Sequence, residues 1–331
     1  MAQVNRRIVL ASRPQGGISV ANFRLEEVPV EAPGEGEVLV RHRFLSLDPY
    51  MRMRMNDVKS YVPPQVLDAV MVGGTVGEVV ASRNPRFAPG DVVAGGGGWQ
   101  EFGLSDGKML RKVDRSLPLE AYLGPAGMPG VTAWHGVFNI IEPKAGETIL
   151  VSAAAGAVGS VVGQLVKALG ARAVGVAGGP DKCRHAVEVL GFDACVDYRG
   201  DLVGQLAKAT PDGIDGIFEN VGGAVMDAGI KQINVFGRIA LCGLVSGGYD
   251  ATPIAIADAT PLLTQRVMLK GFILSDHADV FPKALPDLAA RVASGAIKWH
   301  RTVAQGIAAA PSAFIGMLSG ANLGKQLVDL G

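Results

Sequence analysis

The stretch from Thr148 to Gly170 reads TILVSAAAGAVGSVVGQLVKALG. Thr148–Ser152 suits a buried strand, and it runs straight into Ala154-Ala155-Gly156-Ala157-Val158-Gly159. Beyond that turn Val158, Val161, Val162, Leu165, Val166 and Leu169 recur at i, i+3, i+4, i+7, i+8 and i+11, the spacing of a helix with one buried face. Gly170 stands where a left-handed cap ends such a helix. Ile149 to Val166 has no charged residue and reaches the length of a membrane span, but a strand, a turn and a helix explain it better. In that order they form a dinucleotide fingerprint. The tight turn lets backbone lie against a pyrophosphate, and the helix N-terminus faces the same group. Ala154 replaces the first glycine of the pattern, and a bare GxxG is also compatible with simple packing. The periodic helix behind it and the strands beyond favour the nucleotide.

Outward from this turn, strands are expected at Thr148–Ser152, Ala173–Ala177, Ala194–Tyr198, Gly216–Glu219, Arg238–Cys242 and Met268–Leu274. Helical stretches separate them, which implies right-handed parallel βαβ units. The first third differs. Ile8–Ala11, Val38–Arg43, Thr75–Ala81, Asp91–Ala94 and Met109–Val113 are short apolar or alternating runs between Gly/Pro turns, the pattern of a small barrel or of an irregular β-rich lobe. The tail from Pro311 to Leu330 suits a helix and a short strand over Gln326–Leu330. The expected fold class is α/β, a doubly wound parallel sheet with a β-rich partner.

Composition narrows the function classes. The chain has 331 residues, 48% of them hydrophobic and 19% charged, enough for two domains with a large core. Its 31 Lys+Arg balance 31 Asp+Glu, which removes the long-range field that a nucleic-acid or anionic-membrane binder uses. Cys183, Cys195 and Cys242 are too few and too scattered for a disulfide framework or a CxxC zinc site. Met1 to Arg7 is polar and basic, with no apolar run of a secretion signal. A soluble, cytoplasmic protein is expected.

The choice of dinucleotide turns on the second strand. NAD sites usually end that strand in an acid, which accepts from the ribose 2′-hydroxyl and repels a 2′-phosphate. Here it runs into Gly178-Gly179-Pro180-Asp181-Lys182: no acid, two glycines that make room, and a lysine able to reach a phosphate. NADP(H) is therefore favoured over the alternative in which Asp181 caps a helix and Lys182 is a solvated first-turn cation.

Several further segments carry a resemblance. Ser46-Leu47-Asp48-Pro49-Tyr50-Met51-Arg52, Asn84-Pro85-Arg86-Phe87, Gly90-Asp91-Val92-Val93, Ala153 to Gly159, Gly222-Gly223 after Glu219-Asn220-Val221, and Asn322-Leu323-Gly324-Lys325 together span nearly the whole chain. In these the chain resembles the zinc-independent branch of the medium-chain dehydrogenase/reductase superfamily, and within it the NADPH-dependent alkenal/enone reductases that include prostaglandin and curcumin reductases. The resemblance implies a GroES-like β-barrel domain over residues 1–126, an inserted Rossmann domain over 127–296, and a return segment, 297–331, that completes the first. It also implies an active site in the cleft between the domains and a homodimer joined through sheet edges near Val267–Leu274.

Carried over by position, Gly156, Ala157, Val158 and Gly159 would hold the pyrophosphate, and Gly178, Lys182 and Tyr198 the 2′-phosphate end. Asn220, the segment from Cys242 and Gly243 to Tyr249, Phe272, Ile273, Leu274 and Asn322 would line the rest of NADPH, with Met128 close to the nicotinamide. Two positions depart from the family. Thr264 stands where related reductases carry a tyrosine that bonds the substrate carbonyl, and Pro129 stands where a hydroxyl residue is common. The carbonyl-polarising group is thus open between Tyr50, Thr264 and Tyr249, with Tyr50 the first choice.

No metal is expected. The Gly-His-Glu run, the N-terminal cysteine and the four-cysteine lobe of zinc-dependent relatives are missing from the sequence, and the five histidines show no ligand spacing. His135 is either an ordinary core residue or a side chain facing the cleft. The implied reaction is hydride transfer from NADPH to the β-carbon of an apolar α,β-unsaturated ketone or aldehyde, which requires mainly orientation and stabilisation of the developing oxygen charge. Alternatives are one-electron quinone reduction on the same fold and a nucleotide-binding module without catalysis.

Overall fold

The structure is a computed structural model that describes residues 3–247 and 253–331. In chain order its strands are β1 (Val4–Leu10), β2 (Phe23–Pro29), β3 (Val38–Ser46), β4 (Gly74–Ser82), β5 (Val92–Gly96), β6 (Phe102–Ser105), β7 (Arg111–Lys112), β8 (Thr148–Ser152), β9 (Arg172–Ala177), β10 (Ala194–Asp197), β11 (Ile214–Glu219), β12 (Ile233–Leu241), β13 (Met268–Gly271), β14 (Arg301–Gln305) and β15 (Lys325–Asp329). The helices are α1 (Tyr50–Arg54), α2 (Met128–Gly136), α3 (Gly159–Ala168), α4 (Pro180–Glu188), α5 (Leu202–Ala209), α6 (Gly223–Ile230), α7 (Thr260–Thr264), α8 (Phe281–Ala293) and α9 (Ala310–Leu318). Met1–Leu123 with Arg301–Gly331 form one unit and Gly124–His300 the other. From sequence these divisions are expected at 126/127 and 296/297.

The second unit is built on a six-stranded sheet in the order β10-β9-β8-β11-β12-β13, with every pair parallel. Counted from β8 the order is 3-2-1-4-5-6, that of a doubly wound nucleotide-binding sheet. Strand alternation assigns each face its core. Ile149 and Val151 of β8 join Val161 and Leu165 of α3 and Leu288 of α8 on one face. Leu150 packs with Leu206 of α5 and Val225 of α6 on the other. Ile149, Leu150 and Val151 are fully buried, as a strand covered on both faces must be. The uncharged stretch around them resolves into strand, turn and helix, and no helix among the described residues is long and apolar enough to cross a membrane. Gly170 takes the left-handed conformation expected after α3, with φ +76°.

The first unit holds a seven-stranded sheet, β14-β15-β3-β4-β5-β7 with β6 also on β3, and a separate β1–β2 hairpin. Three strands lie outside the sequence reading: β2, β6 and β14. In β2 only Phe23 is buried, and β14 buries no residue fully, so neither carries an apolar run. Met109–Val113 contracts to Arg111–Lys112, with Met109 exposed.

Trp99 organises the core here. Phe23 stacks on its ring at 5.4 Å and Phe314 of α9 meets it edge-on at 5.4 Å, so the C-terminal helix closes over N-terminal strands. Nearby, the Nζ of Lys325, in a side chain 3% exposed, donates to the Leu47 carbonyl and to Asp48 Oδ1, both at 2.7 Å. Removing one partner of a buried ion pair leaves the other charge desolvated. Lys325→Met should therefore lower stability by about 3 kcal/mol, read as an earlier urea midpoint. An unchanged midpoint would show that the pair adds nothing net.

Candidate active site

The carboxyl ends of β8 and β11 lie side by side where the strand order reverses, the place where doubly wound sheets open a ligand crevice. Ser152 ends β8 and Glu219 ends β11. The Ser152 hydroxyl donates to Glu219 Oε1 at 2.8 Å and accepts from the Asn220 backbone N–H at 2.7 Å, and the Asn220 side-chain amide donates to the Ser152 carbonyl at 2.8 Å. Glu219 Oε1 also accepts from the N–H groups of Val221 and Gly222. Burial nevertheless pushes this carboxyl up, against those hydrogen bonds. Glu219 thus ties the glycine turn to the turn that carries Asn220. Its carbonyl accepts from Cys242 N at 2.8 Å and Gly243 N at 3.1 Å, which places the next expected cofactor segment against the same strand end.

The glycine turn has the geometry its sequence calls for. Ala153 bends the chain at φ +50°, Gly156 N–H donates back to its carbonyl at 2.9 Å, and Ala157 and Val158 lead into α3. A Cβ on Gly159 would lie 2.4 Å from the Ala153 oxygen, so only glycine lets the helix start this close. Ala154, where the fingerprint has its first glycine, is buried with its N–H on the Val176 carbonyl at 3.0 Å. Gly175 on β9 makes room for its methyl, because a Cβ there would meet Ala154 Cβ at 2.7 Å. A compact turn at an N-terminus whose first N–H groups have no helical partner fits a pyrophosphate.

At the end of β9, Gly178 and Gly179 pass beneath two side chains from the loop after β10. A Cβ on Gly178 would lie 2.8 Å from the Tyr198 ring, and one on Gly179 would lie 3.1 Å from Arg199 Nη1. Asp197 Oδ1 accepts from the N–H groups of Gly179 at 2.9 Å and Arg199 at 3.0 Å and so locks the two loops together. Lys182 is half-buried in the first turn of α4, its pKa pushed down by burial and by the Arg199 charge. Gly179, not Asp181, is the N-cap of α4, and Asp181 pairs with Arg184. Tyr198, Lys182 and Arg199 therefore gather around one glycine pair. Arg199 is not among the positions expected from sequence; its signal there is a cation next to Tyr198 just past a strand end.

The other expected positions distribute as follows. Met128 is the first residue of α2 and 44% exposed. Phe272 is buried against Phe218 at 6.3 Å and His135 at 5.1 Å, followed by half-buried Ile273 and buried Leu274. His135 is a core residue: it meets Asn139 at 3.0 Å, stacks on His277 at 4.1 Å, and burial drives its pKa down to about 4. Burial pushes the Cys242 thiol up to about 12, so it stays protonated. Thr264 ends α7 beside the sheet edge, and its hydroxyl donates to the Thr260 carbonyl of its own helix at 3.1 Å. Tyr249 lies outside the described residues. Among those residues no three His, Cys, Asp or Glu side chains converge as a metal site would require.

In the first unit Tyr50 opens α1, two residues after Asp48, which Lys325 and the Ser46 hydroxyl hold in place. Asn322 bonds the Gly324 carbonyl at 2.8 Å in the turn that delivers Lys325. One buried ion pair thus joins two segments that the sequence matches only by resemblance. Burial and Asp48 raise the Tyr50 phenol above its usual range, while Arg54 acts in the other direction. The phenol remains a neutral donor at physiological pH.

The chain is similar to known proteins over nearly its full length. Residues 6–113 match a family described as the N-terminal domain of oxidoreductase, and residues 157–290 match one described as zinc-binding dehydrogenase. The chain is 48% identical to the NADPH-dependent curcumin reductase of Escherichia coli (strain K12), over 98% of this chain and 97% of that one. It is 36% identical to a 2-alkenal reductase (NADP(+)-dependent) of Nicotiana tabacum, covering 98% and 97%. The crystal structure of CurA in complex with NADPH from Vibrio vulnificus superposes with a TM-score of 0.93 at 43% identity, covering 98% and 99%. With an inserted Rossmann unit, a GroES-like β unit and full-length similarity of this degree, the chain belongs to the medium-chain dehydrogenase/reductase superfamily, in the family of NADPH-dependent alkenal/enone reductases.

Proposed function

We propose that this protein uses NADPH to reduce the C=C bond of apolar α,β-unsaturated ketones and aldehydes, without a metal. The cofactor half of the reading is carried by one observation: Lys182, Arg199 and Tyr198 gathered over Gly178-Gly179, with no acid at the end of β9. Two cations on a glycine platform favour a 2′-phosphate over a free 2′-hydroxyl. Gly156 to Gly159 would hold the pyrophosphate, and Asn220, Cys242, Gly243 and Phe272–Leu274 the nicotinamide side. Met128, Asn322 and Tyr249 belong to the same assignment. The substrate half is supported by relatives named for curcumin and 2-alkenal reduction.

When bound, NADPH supplies hydride to the β-carbon. The chain's own part is to orient the two reactants, exclude water and hold the charge that gathers on the carbonyl oxygen. Tyr50 is assigned as the hydrogen-bond donor to that oxygen, with the α-proton drawn from solvent. The Thr264 hydroxyl, committed to its own helix, ranks behind it.

A homodimer is proposed from the edge of the second unit's sheet. Among the described residues strand β13 pairs on one side only, and none of its own residues is buried. Met268 on this strand, Leu263 shortly before it in the chain and Phe236 on the adjoining β12 are all exposed. A bare edge flanked by large apolar side chains invites pairing with a second copy. Three free thiols suit a reducing, cytoplasmic location.

Loss of 340 nm absorbance with enones, alkenals, quinones and simple ketones tests the reading. Turnover of enones with NADPH, little with NADH and none with simple ketones is expected, unchanged after chelation. Lys182→Ala and Arg199→Ala should each raise the KM for NADPH by about tenfold while moving that for NADH little. Quinone turnover without enone turnover would contradict it. Sedimentation should return twice the chain mass, and Leu269→Asp should return one; a monomeric wild type would remove the dimer.

A further inference from the structure

Among the described residues no acid pairs with Arg54, which closes the Tyr50 helix. Tyr50 and Arg54 stand at i and i+4 of α1, one above the other on the same helical face. Between them Met51 is core, and Arg52 is buried with its guanidinium on Asn56 Oδ1 at 2.6 Å and on the Gly16 carbonyl at 3.2 Å. Arg54 differs. Its Nε is buried with no hydrogen-bond partner, and its side chain makes no ion pair among the described residues. The acids closest in sequence are engaged elsewhere: Asp48 with Lys325 at 2.7 Å, and Asp57 with Arg13 at 3.8 Å. The chain holds Arg54 in place regardless, for Gln65 N–H donates to its carbonyl at 2.6 Å.

A half-buried guanidinium with a dry, unpartnered Nε carries an unrecovered desolvation penalty. The charged and titratable groups acting on Tyr50 are Asp48, Arg54 and the Tyr61 phenol, and Arg54 is the only one of the three that favours negative charge there. Tyr61, half-exposed, feels the same cation. At the phenol Asp48 acts more strongly than Arg54 and in the opposite direction, so Arg54 offsets part of the field that Asp48 and burial impose there.

We propose that Arg54 is an electrostatic positioning residue that acts through Tyr50, stabilising the charge that develops on the substrate carbonyl oxygen as hydride reaches the β-carbon. Hydride forms the new C–H bond and the C=C pair shifts to give an enolate. Tyr50 keeps its proton while hydrogen-bonding the oxygen, and a solvent proton then completes the α-carbon. Arg54 makes that phenol a stronger donor in the transition state, where the oxygen charge is largest. The inference rests on the assignment of Tyr50 made above.

A double-mutant cycle on the full-length protein tests it, with NADPH and a neutral enone. Arg54→Gln should lower kcat about tenfold, leave the NADPH KM within about twofold, and leave the thermal midpoint near that of wild type. Arg54→Lys, which keeps the charge, should recover most of the loss. In a Tyr50→Phe background Arg54→Gln should add nothing further. A slow Tyr50→Phe enzyme in which Arg54→Gln costs its full factor again, or an Arg54→Lys variant no better than Arg54→Gln, overturns the role of Arg54 alone. A Tyr50→Phe enzyme as fast as wild type removes Tyr50 as the donor, and this inference with it.

Discussion

The hydrogen bonds that knot Ser152, Glu219 and Asn220 hold the nucleotide-binding unit to its purpose. Where the helices that follow two adjacent parallel strands lie on opposite faces, a crevice opens at the strands' carboxyl ends, and the turns there leave backbone N–H groups that need partners. Glu219 satisfies several of them at once. Its Oε1 takes the Ser152 hydroxyl and the Val221 and Gly222 N–H groups, and its carbonyl takes Cys242 and Gly243. The carboxyl is buried and its pKa pushed up, the electrostatic penalty of a polar hub where parallel strands otherwise bury only apolar residues. The knot extends the β8–β11 ladder into the two turns that follow it.

The first unit has its counterpart in Asp48 and Lys325. The strand that closes its sheet, β15, comes from the end of the chain and lies beside β3. Lys325 at its start reaches the Leu47 carbonyl and the Asp48 carboxylate just before Tyr50. The same contact that joins the ends of the chain thus fixes where α1 begins. One buried pair anchors both the start of β15 and the start of α1.

The βαβ rhythm was legible because strands buried on both faces need continuous apolar runs, and β8 and β9 have them. Strands β2 and β14 were illegible because each is covered on one side at most, so neighbouring strands rather than their own residues decide their form. The glycine turn could be read despite Ala154, and the compensating Gly175 lies 21 residues away in sequence on the adjacent strand, where no local pattern shows it. Lys182 and Tyr198 were reachable through a missing acid and a family likeness. Arg199 required seeing the loop after β10 fold back over Gly179. Glu219 was visible only as part of a motif, because its role lies in hydrogen bonds made across the sheet.

What unites these features is a fold prepared to hold NADPH. The most direct test is the destination of the transferred hydrogen. Purified protein would be given NADPH deuterated at the transferring position and an enone, and the product examined by NMR. The expected result is deuterium on the β-carbon, solvent hydrogen on the α-carbon and the ketone intact. Deuterium on the carbonyl carbon of an alcohol, or none in any product, would contradict conjugate reduction.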